Sequence, residues 1–205
     1  MAKRLTREFF ARPTVDVARD LLGCVLVRVE KTNGRSRRIS GIITETEAYC
    51  GEEDLGCHAK AGRTKRTEVM YGPAGRAYIY FTYGNHWMLC IVTQGENEPH
   101  AILIRAIQPL EGKELIARRR KGQPESKWTD GPGKLTKALR LDGEFNGADL
   151  TSSKAIIFIE AGQSIPNQQV LIGPRVGLYT VPEPWKSKPW RYLANLQKHN
   201  IEEKR

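Results

Sequence analysis

Cysteine is scarce. Four residues in 205 (Cys24, Cys50, Cys57 and Cys90) are too few and too scattered to staple a chain of this length. Reduced thiols and a cytoplasmic setting follow as the expectation, nucleoid-associated if the source is prokaryotic. Long apolar runs are missing too: none approaches the roughly 18–20 residues a membrane-spanning helix needs. The opening MAKRLTREFF is basic with no apolar stretch behind it, which argues against a secretory leader. There is no C-x-x-C, no H-x-E and no G-x-x-x-x-G-K-[ST] pattern, so zinc fingers, zinc deaminases and Walker nucleotide sites are disfavoured. Cys50, Cys57 and His58 lie close together but lack a second ligand pair, so no metal is expected. Internal repeats, low-complexity tracts and convincing linkers are likewise absent, and residues 1–205 read as a single domain. Acid is in short supply: 33 Lys and Arg face 23 Asp and Glu, for a formal charge of +10. Such a surplus favours a polyanionic partner, although a solvated basic face gives the same count.

The residues that are present pattern mainly as strands. A short helix is expected at 16–22, capped by Asp16 and ended by Gly23, then a strand at 24–30. Asn33-Gly34 predicts a hairpin, with a returning strand from about Arg38 to Tyr49. Period two puts Glu45, Glu47 and Tyr49 on one face of that strand and Thr44, Thr46 and Ala48 on the other. Residues 50–76 read as a long loop. Strands at 77–83 and 87–93 enclose a Gly84-Asn85 turn, and a further strand covers 100–108. Helices are expected at 110–121 and 133–141, and late strands at 155–160 and 176–180. The expectation is a mixed α/β (α+β) fold, mainly antiparallel, with helices at its flanks.

Three features could carry chemistry. Between Thr44 and His58 stand five acids (Glu45, Glu47, Glu52, Glu53, Asp54) and no base, while Lys60, Arg63, Lys65 and Arg66 follow at once. A carboxylate beside a phosphate-binding patch repels the phosphates, so general-base work is one reason to have it there; an exposed, charge-paired strand is the other. Five of the seven tyrosines lie between positions 49 and 83. Tyr49, Tyr80 and His58 could stack on a flat base, and Tyr83, at a hairpin tip, could wedge into a duplex; for Tyr78 and Tyr80 core packing is the competing fate. Basic patches occur at 62–66, 117–121 and 131–137, and the last, Gly-Pro-Gly-Lys, opens a helix whose free amides suit a phosphate.

These residues together resemble the alkyladenine (3-methyladenine) DNA glycosylases, nearly end to end. The matching stretches are EFFARPTVDVARDLLGCVLVR (8–28), GIITETEAYCGEEDLGCHA (41–59), GPAGRAYIYFTYGNHW (72–87), AILIRAIQPLEG (101–112), DGPGKLTKAL (130–139) and RVG (175–177). ETEAY with His nine residues after its Tyr, and Y-x-Y-x-x-Y-G, are the specific motifs. The resemblance implies a compact α/β domain on a curved, mainly antiparallel sheet with a protruding hairpin, acting as a monomer on double-stranded DNA that contains damaged purines, with no membrane, metal or cofactor. It implies that Glu47 activates water, with Arg105 near the water and the target phosphate. Tyr49 and His58 would stack on one side of the flipped base and Tyr80 on the other. Tyr83, followed by Gly84, would intercalate, while Arg63, Lys65, Arg66 and Lys134 hold the backbone. The product would be an abasic site without strand cleavage. One departure stands out. Members commonly carry Asn where this chain has Cys90, on the pocket floor, and that Asn obstructs the 2-amino group of guanine. From the residues alone, a non-enzymatic nucleic-acid binder and a metal-dependent nuclease using Glu45, Glu47 and Asp54 remain open.

Overall fold

A computed structural model describes residues 3–32 and 34–195. Two short helices, α1 (Arg7–Phe10) and α2 (Thr14–Asp20), lead into β1 (Val25–Thr32) and the long β2 (Arg35–Cys50). β3 (Ala77–Thr82), β4 (His86–Thr93) and β5 (His100–Glu111) follow as a meander, then α3 (Lys113–Arg119) and α4 (Pro132–Leu139). The chain closes with β6 (Ile157–Glu160), β7 (Val170–Gly173) and β8 (Arg191–Ala194). The strands form one sheet in the order β3-β4-β5-β2-β1-β6, with β8 added to β2 and β7 to β8. Each of these pairings is antiparallel. The α+β expectation therefore holds, and no helix among the described residues is long and apolar enough to cross a membrane.

Several boundaries differ from the sequence reading for identifiable reasons. α2 begins at Thr14 rather than Asp16, because Pro13 at its N-cap already has φ near the helical value. The first hairpin forms with Thr32 opposite Arg35 and Gly34 at φ +73; Asn33 lies outside the described residues. α3 is shorter than expected because β5 runs on to Glu111 and Gly112, at φ +69, turns the chain only there. In the second hairpin the left-handed residues are Tyr83 (φ +51) and Gly84 (φ +68), one position earlier than the expected Gly84-Asn85 turn. Residues 176–180 are not a strand: Gly177 takes φ +84, and the Val176 amide is bonded to a side chain, not to a ladder. The segment 50–76 contains two short 3-10 turns, His58–Ala61 and Glu68–Tyr71.

The sheet has two apolar faces. One packs on the helices, where Leu89, Ile91, Ile102, Ile104 and Ala48 meet Val17, Ala18, Leu135 and Leu139 in the main core. On that side Thr46 Oγ1 donates to Ala18 O of α2 at 2.7 Å. The opposite face carries a second cluster that includes Tyr78, Met88, Cys90, Val92, Ala101 and Leu103, with Tyr49 and Tyr80 against it. Alternation along each strand assigns the two sets, as period two requires.

β2 changes neighbours half-way. Its first part pairs with β1 up to Ile42, and from Glu45 its edge is taken by β8. At that same point its register with β5 slips twice, between Ile43 and Glu45 and between Glu45 and Thr46. The slips leave Thr44 on β2 and Arg105 on β5 without a ladder partner. Bulges of this kind redirect side chains, and here the redirected one is Arg105.

Candidate active site

Register defines the site. Tyr78 on β3 lies opposite Cys90 on β4, Cys90 opposite Leu103 on β5, Leu103 opposite Glu47 on β2, and Glu47 opposite Arg191 on β8. Directly opposed residues share a face, so these five form one row across the sheet. Above the row opens a cavity of about 270 Å³, near the lower end of ordinary small-molecule pockets. Tyr49, His58, Tyr80, Tyr83, Cys90 and Arg105 all line it, together with Tyr78, Met88, Leu103 and the 176–178 segment.

Glu47 does not line the cavity. Its side chain is wholly buried, behind Tyr49, Arg105 and Val176. Oε1 accepts from the Val176 amide at 2.7 Å and lies 3.3 Å from Arg105 Nη1. Oε2 accepts from Tyr49 Oη at 2.9 Å. Burial raises the pKa of Glu47 above the ordinary carboxylate value, opposed by the charge of Arg105 and by the Val176 and Tyr49 bonds. Burial works against the charge of Arg105 as well, yet Glu47 and Glu45 beside it hold its pKa above the usual value.

Glu45 answers the question its position raised. It is 6% exposed, and Oε1 accepts from Arg105 Nε at 2.8 Å and from Arg191 Nε at 2.6 Å. Arg191, Glu45, Arg105 and Glu47 thus form an alternating chain of two cations and two carboxylates. A buried charge is tolerable only when paired in this way. Asp54, a third acid of the island, is also fully buried and pairs with Arg175. The acidic island is therefore largely an internal feature, and the exposed-strand reading is wrong for these three residues.

The aromatic groups sit close together. His58 and Tyr80 meet edge to face with ring centroids 4.5 Å apart, and Tyr78 lies 5.2 Å from Tyr80. His58 Nδ1 is 3.0 Å from Tyr78 Oη. Burial, with help from Arg66 and Lys60, lowers the His58 pKa to about 4, so its ring is neutral at physiological pH. Tyr78, which core packing alone would have explained, thus also fixes the His58 ring.

The hairpin tip is open to solvent. Tyr83 is 80% exposed and Gly84 follows it at the turn. Among the basic candidates, Arg66 is exposed and its guanidinium covers the Tyr80 ring at 5.6 Å. Lys65 is exposed. Arg63 is paired with Glu68 at 2.7 Å, and Lys134 with Asp130 at 2.7 Å, an acid it shares with Lys127. His86 leans on the start of α4, where a Cβ on Gly133 would come within 2.8 Å of its ring. Thr136 Oγ1 donates to Trp87 O at 2.8 Å, so α4 braces the tyrosine-bearing hairpin.

Sequence reasoning gave no role to Arg175, Val176 or Arg191, and drafted Glu45 and Asp54 only as metal ligands of a nuclease. Glu45 and Asp54 carried a signal in the acidic island. Their partners lie 146 and 121 residues away, beyond the reach of any local pattern.

Known proteins resemble this sequence. A family model described as methylpurine-DNA glycosylase matches residues 8–198. A protein of Carboxydothermus hydrogenoformans is 41% identical over 195 residues, which cover 95% of this chain and 97% of that one. One of Myxococcus xanthus is 42% identical over 195 residues, with coverage of 95% and 92%. One of Bacillus licheniformis is 43% identical over 189 residues, with coverage of 92% and 91%. Each bears the provisional name 3-methyladenine DNA glycosylase.

Proposed function

The chain belongs to the methylpurine-DNA glycosylase family and is a DNA-repair hydrolase; on that footing we propose that it flips alkylated or deaminated purines out of duplex DNA and releases them with water activated by Glu47. The carrying observation is a buried carboxylate, tied to an arginine, a backbone amide and a tyrosine hydroxyl, immediately behind an aromatic cavity.

The chemistry follows from charge. A 3-methyladenine base is cationic, so it leaves as a neutral molecule when the bond from C1′ to the base breaks. The water oxygen bonds to C1′, and its proton passes to Glu47. Because Glu47 lies behind Tyr49, Arg105 and Val176, one of these must shift for its carboxylate to reach that water and the developing oxocarbenium-like sugar. Electron-rich rings at Tyr49, Tyr80 and Tyr78 favour a cationic base. Hypoxanthine, ethenoadenine and 7-methylguanine belong to the same substrate class, and the neutral lesions among them need a proton on the leaving base as well. If Tyr78 donates to Nδ1 of the neutral His58, Nε2–H becomes a donor that can read the edge of the base. Because His58 and Tyr80 touch, one of the two rings must turn to admit a flat base between them. Tyr83 fills the gap in the duplex, and Arg63, Lys65, Arg66 and Lys134 follow the backbone. Arg105 is shared between Glu47 and the phosphate of the target nucleotide. The product is then an abasic site, with the strand left uncut.

Duplexes bearing hypoxanthine, ethenoadenine or 3-methyladenine test the proposal. The wild-type protein is expected to give breaks only after alkali, on at least one lesion. Glu47→Gln should lose base release by at least about a thousandfold, within the range a positioned acid–base group contributes, while damaged-duplex affinity stays within about threefold. Alkali-independent nicking, sensitivity to EDTA, or wild-type release by Glu47→Gln would sink it.

A further inference from the structure

Arg175 does not line the cavity, yet its side chain reaches much of what surrounds Glu47. The residue is 4% exposed. Its guanidinium lies over the rings of Tyr49, at 4.7 Å, and Trp190, at 5.0 Å. Nη1 and Nη2 donate to the two oxygens of Asp54 at 2.5 and 2.8 Å. Nη1 also donates to Ala48 O at 3.1 Å, and Nη2 to Trp185 O at 3.2 Å. Asp54, itself fully buried, accepts from the amides of Cys50 at 3.0 Å and Gly56 at 2.9 Å. Gly56 has no room for a side chain, since a Cβ there would stand 2.8 Å from Arg175 Nη2.

The contacts converge on the two residues that donate to Glu47 besides Arg105. Val176, next in the chain to Arg175, gives its amide to Oε1. Tyr49, stacked on the guanidinium, gives its hydroxyl to Oε2. We propose that the Asp54–Arg175 pair is a positioning device for the proposed base, holding the Val176 amide and the Tyr49 hydroxyl on the two oxygens of Glu47. The inference rests on the reading of Glu47 as that base. Arg175 acts here through geometry, because Asp54 already neutralises its charge. A planar fork on a carboxylate fixes the orientation of the guanidinium, which a lysine ammonium cannot do.

The consequence is a movable pH dependence. The groups facing Glu47 are Glu45 and Tyr49 from β2, Arg105 from β5, Tyr80 from β3 and Cys90 from β4, with Arg191 of β8 behind Glu45. Loosening the clamp leaves the burial of Glu47 and its pairing with Arg105 in place but removes two hydrogen bonds to its ionised form. The carboxyl then protonates at higher pH, and the acid limb of base release moves up.

Single-turnover release from a hypoxanthine duplex, followed across pH for the full chain, tests the idea. Arg175→Lys keeps a cation beside Asp54 but loses both fork and stack. Its acid limb should move up by about half a pH unit or more, and its plateau should fall about tenfold. Affinity for the damaged duplex should hold within about twofold, because both side chains of the pair are buried. Trp190→Leu, which removes one side of the stack and leaves the ion pair intact, should shift the limb in the same direction by less; it carries the measurement if Arg175→Lys does not fold. Variants that lower the melting temperature while keeping the wild-type limb and plateau would show a merely structural pair and overturn the inference. Glu47→Gln is run alongside. Wild-type release by that variant defeats the assignment of the base itself, whereas an inactive Glu47→Gln with unshifted clamp variants defeats only the clamp.

Discussion

Cys90 stands on the cavity floor between Tyr78 and Leu103, 4% exposed, with a thiol pKa raised well above its usual value by burial. It is a compact side chain at the position where the family resemblance implies an asparagine. An asparagine there would reach further into the cavity and bring polar atoms that need partners, at a cost of about 1–3 kcal/mol if left unmade. Cys90→Asn is therefore expected to lower release of 7-methylguanine, relative to hypoxanthine, on the order of tenfold, as a pocket contact of that size allows. Parallel single-turnover rates on the two lesions measure it, and an unchanged ratio would show that this position does not read the 2-amino group. At this scale the sequence was informative where residues share a strand. Period two was enough to bring Glu45, Glu47 and Tyr49 to one face. It could not show that Glu47 is sealed off from the cavity, nor that Asp54 meets Arg175, because those facts arise from segments folding over one another.

At the scale of elements, the β3–β4 hairpin is both braced and strained. Thr136 and Gly133 of α4 hold it just below the tip, at Trp87 and His86. Its tip puts Tyr83 at φ +51, a left-handed conformation that costs a non-glycine residue roughly 1–2 kcal/mol. A bulky side chain kept there points to use rather than stability. Tyr83→Gly should raise the melting temperature by about 2 °C while cutting release from duplex lesions at least about tenfold, since extrusion loses its wedge. Tyr83→Ala should cut release equally without the thermal gain. Equal activity on duplex and single-stranded lesions in the wild type would contradict the wedge. The hairpin was legible because AYIYFTY and WMLCIVT are dense in aromatic and β-branched residues around a turn signal. The turn was placed one residue late because the left-handed position fell on a tyrosine. β7 and β8, with only four residues each, offered too short a pattern, and VGLYT looked strand-like until Gly177 broke it.

Over the whole molecule, charge sets the encounter with DNA. The surplus of +10 is not evenly available, because Arg63 and Lys134 already hold acids while Lys65 and Arg66 are exposed. If all four reach phosphates, affinity for undamaged duplex should fall about a hundredfold between 50 and 200 mM salt, from a slope near 0.9 per contact. Lys65→Ala should flatten that slope by about one contact. Lys134→Ala should flatten it less, since its charge is partly neutralised by Asp130. Fluorescence anisotropy across salt decides the matter, and a slope near zero would leave the surplus without a role in binding.

The placement of β8 has a consequence for how the protein is made. Its strand supplies Arg191 to Glu45 and lies beside Glu47 on β2, and Trp190 just before it stacks on Arg175. A chain still emerging from the ribosome can complete the β3–β4–β5 meander, and with it much of the cavity wall, long before residue 191 is synthesised. Glu45 gains its second arginine, and Arg175 its second ring, only when those late residues dock. A prematurely terminated chain would keep the exposed bases Lys65 and Arg66 while lacking these two supports around the proposed base.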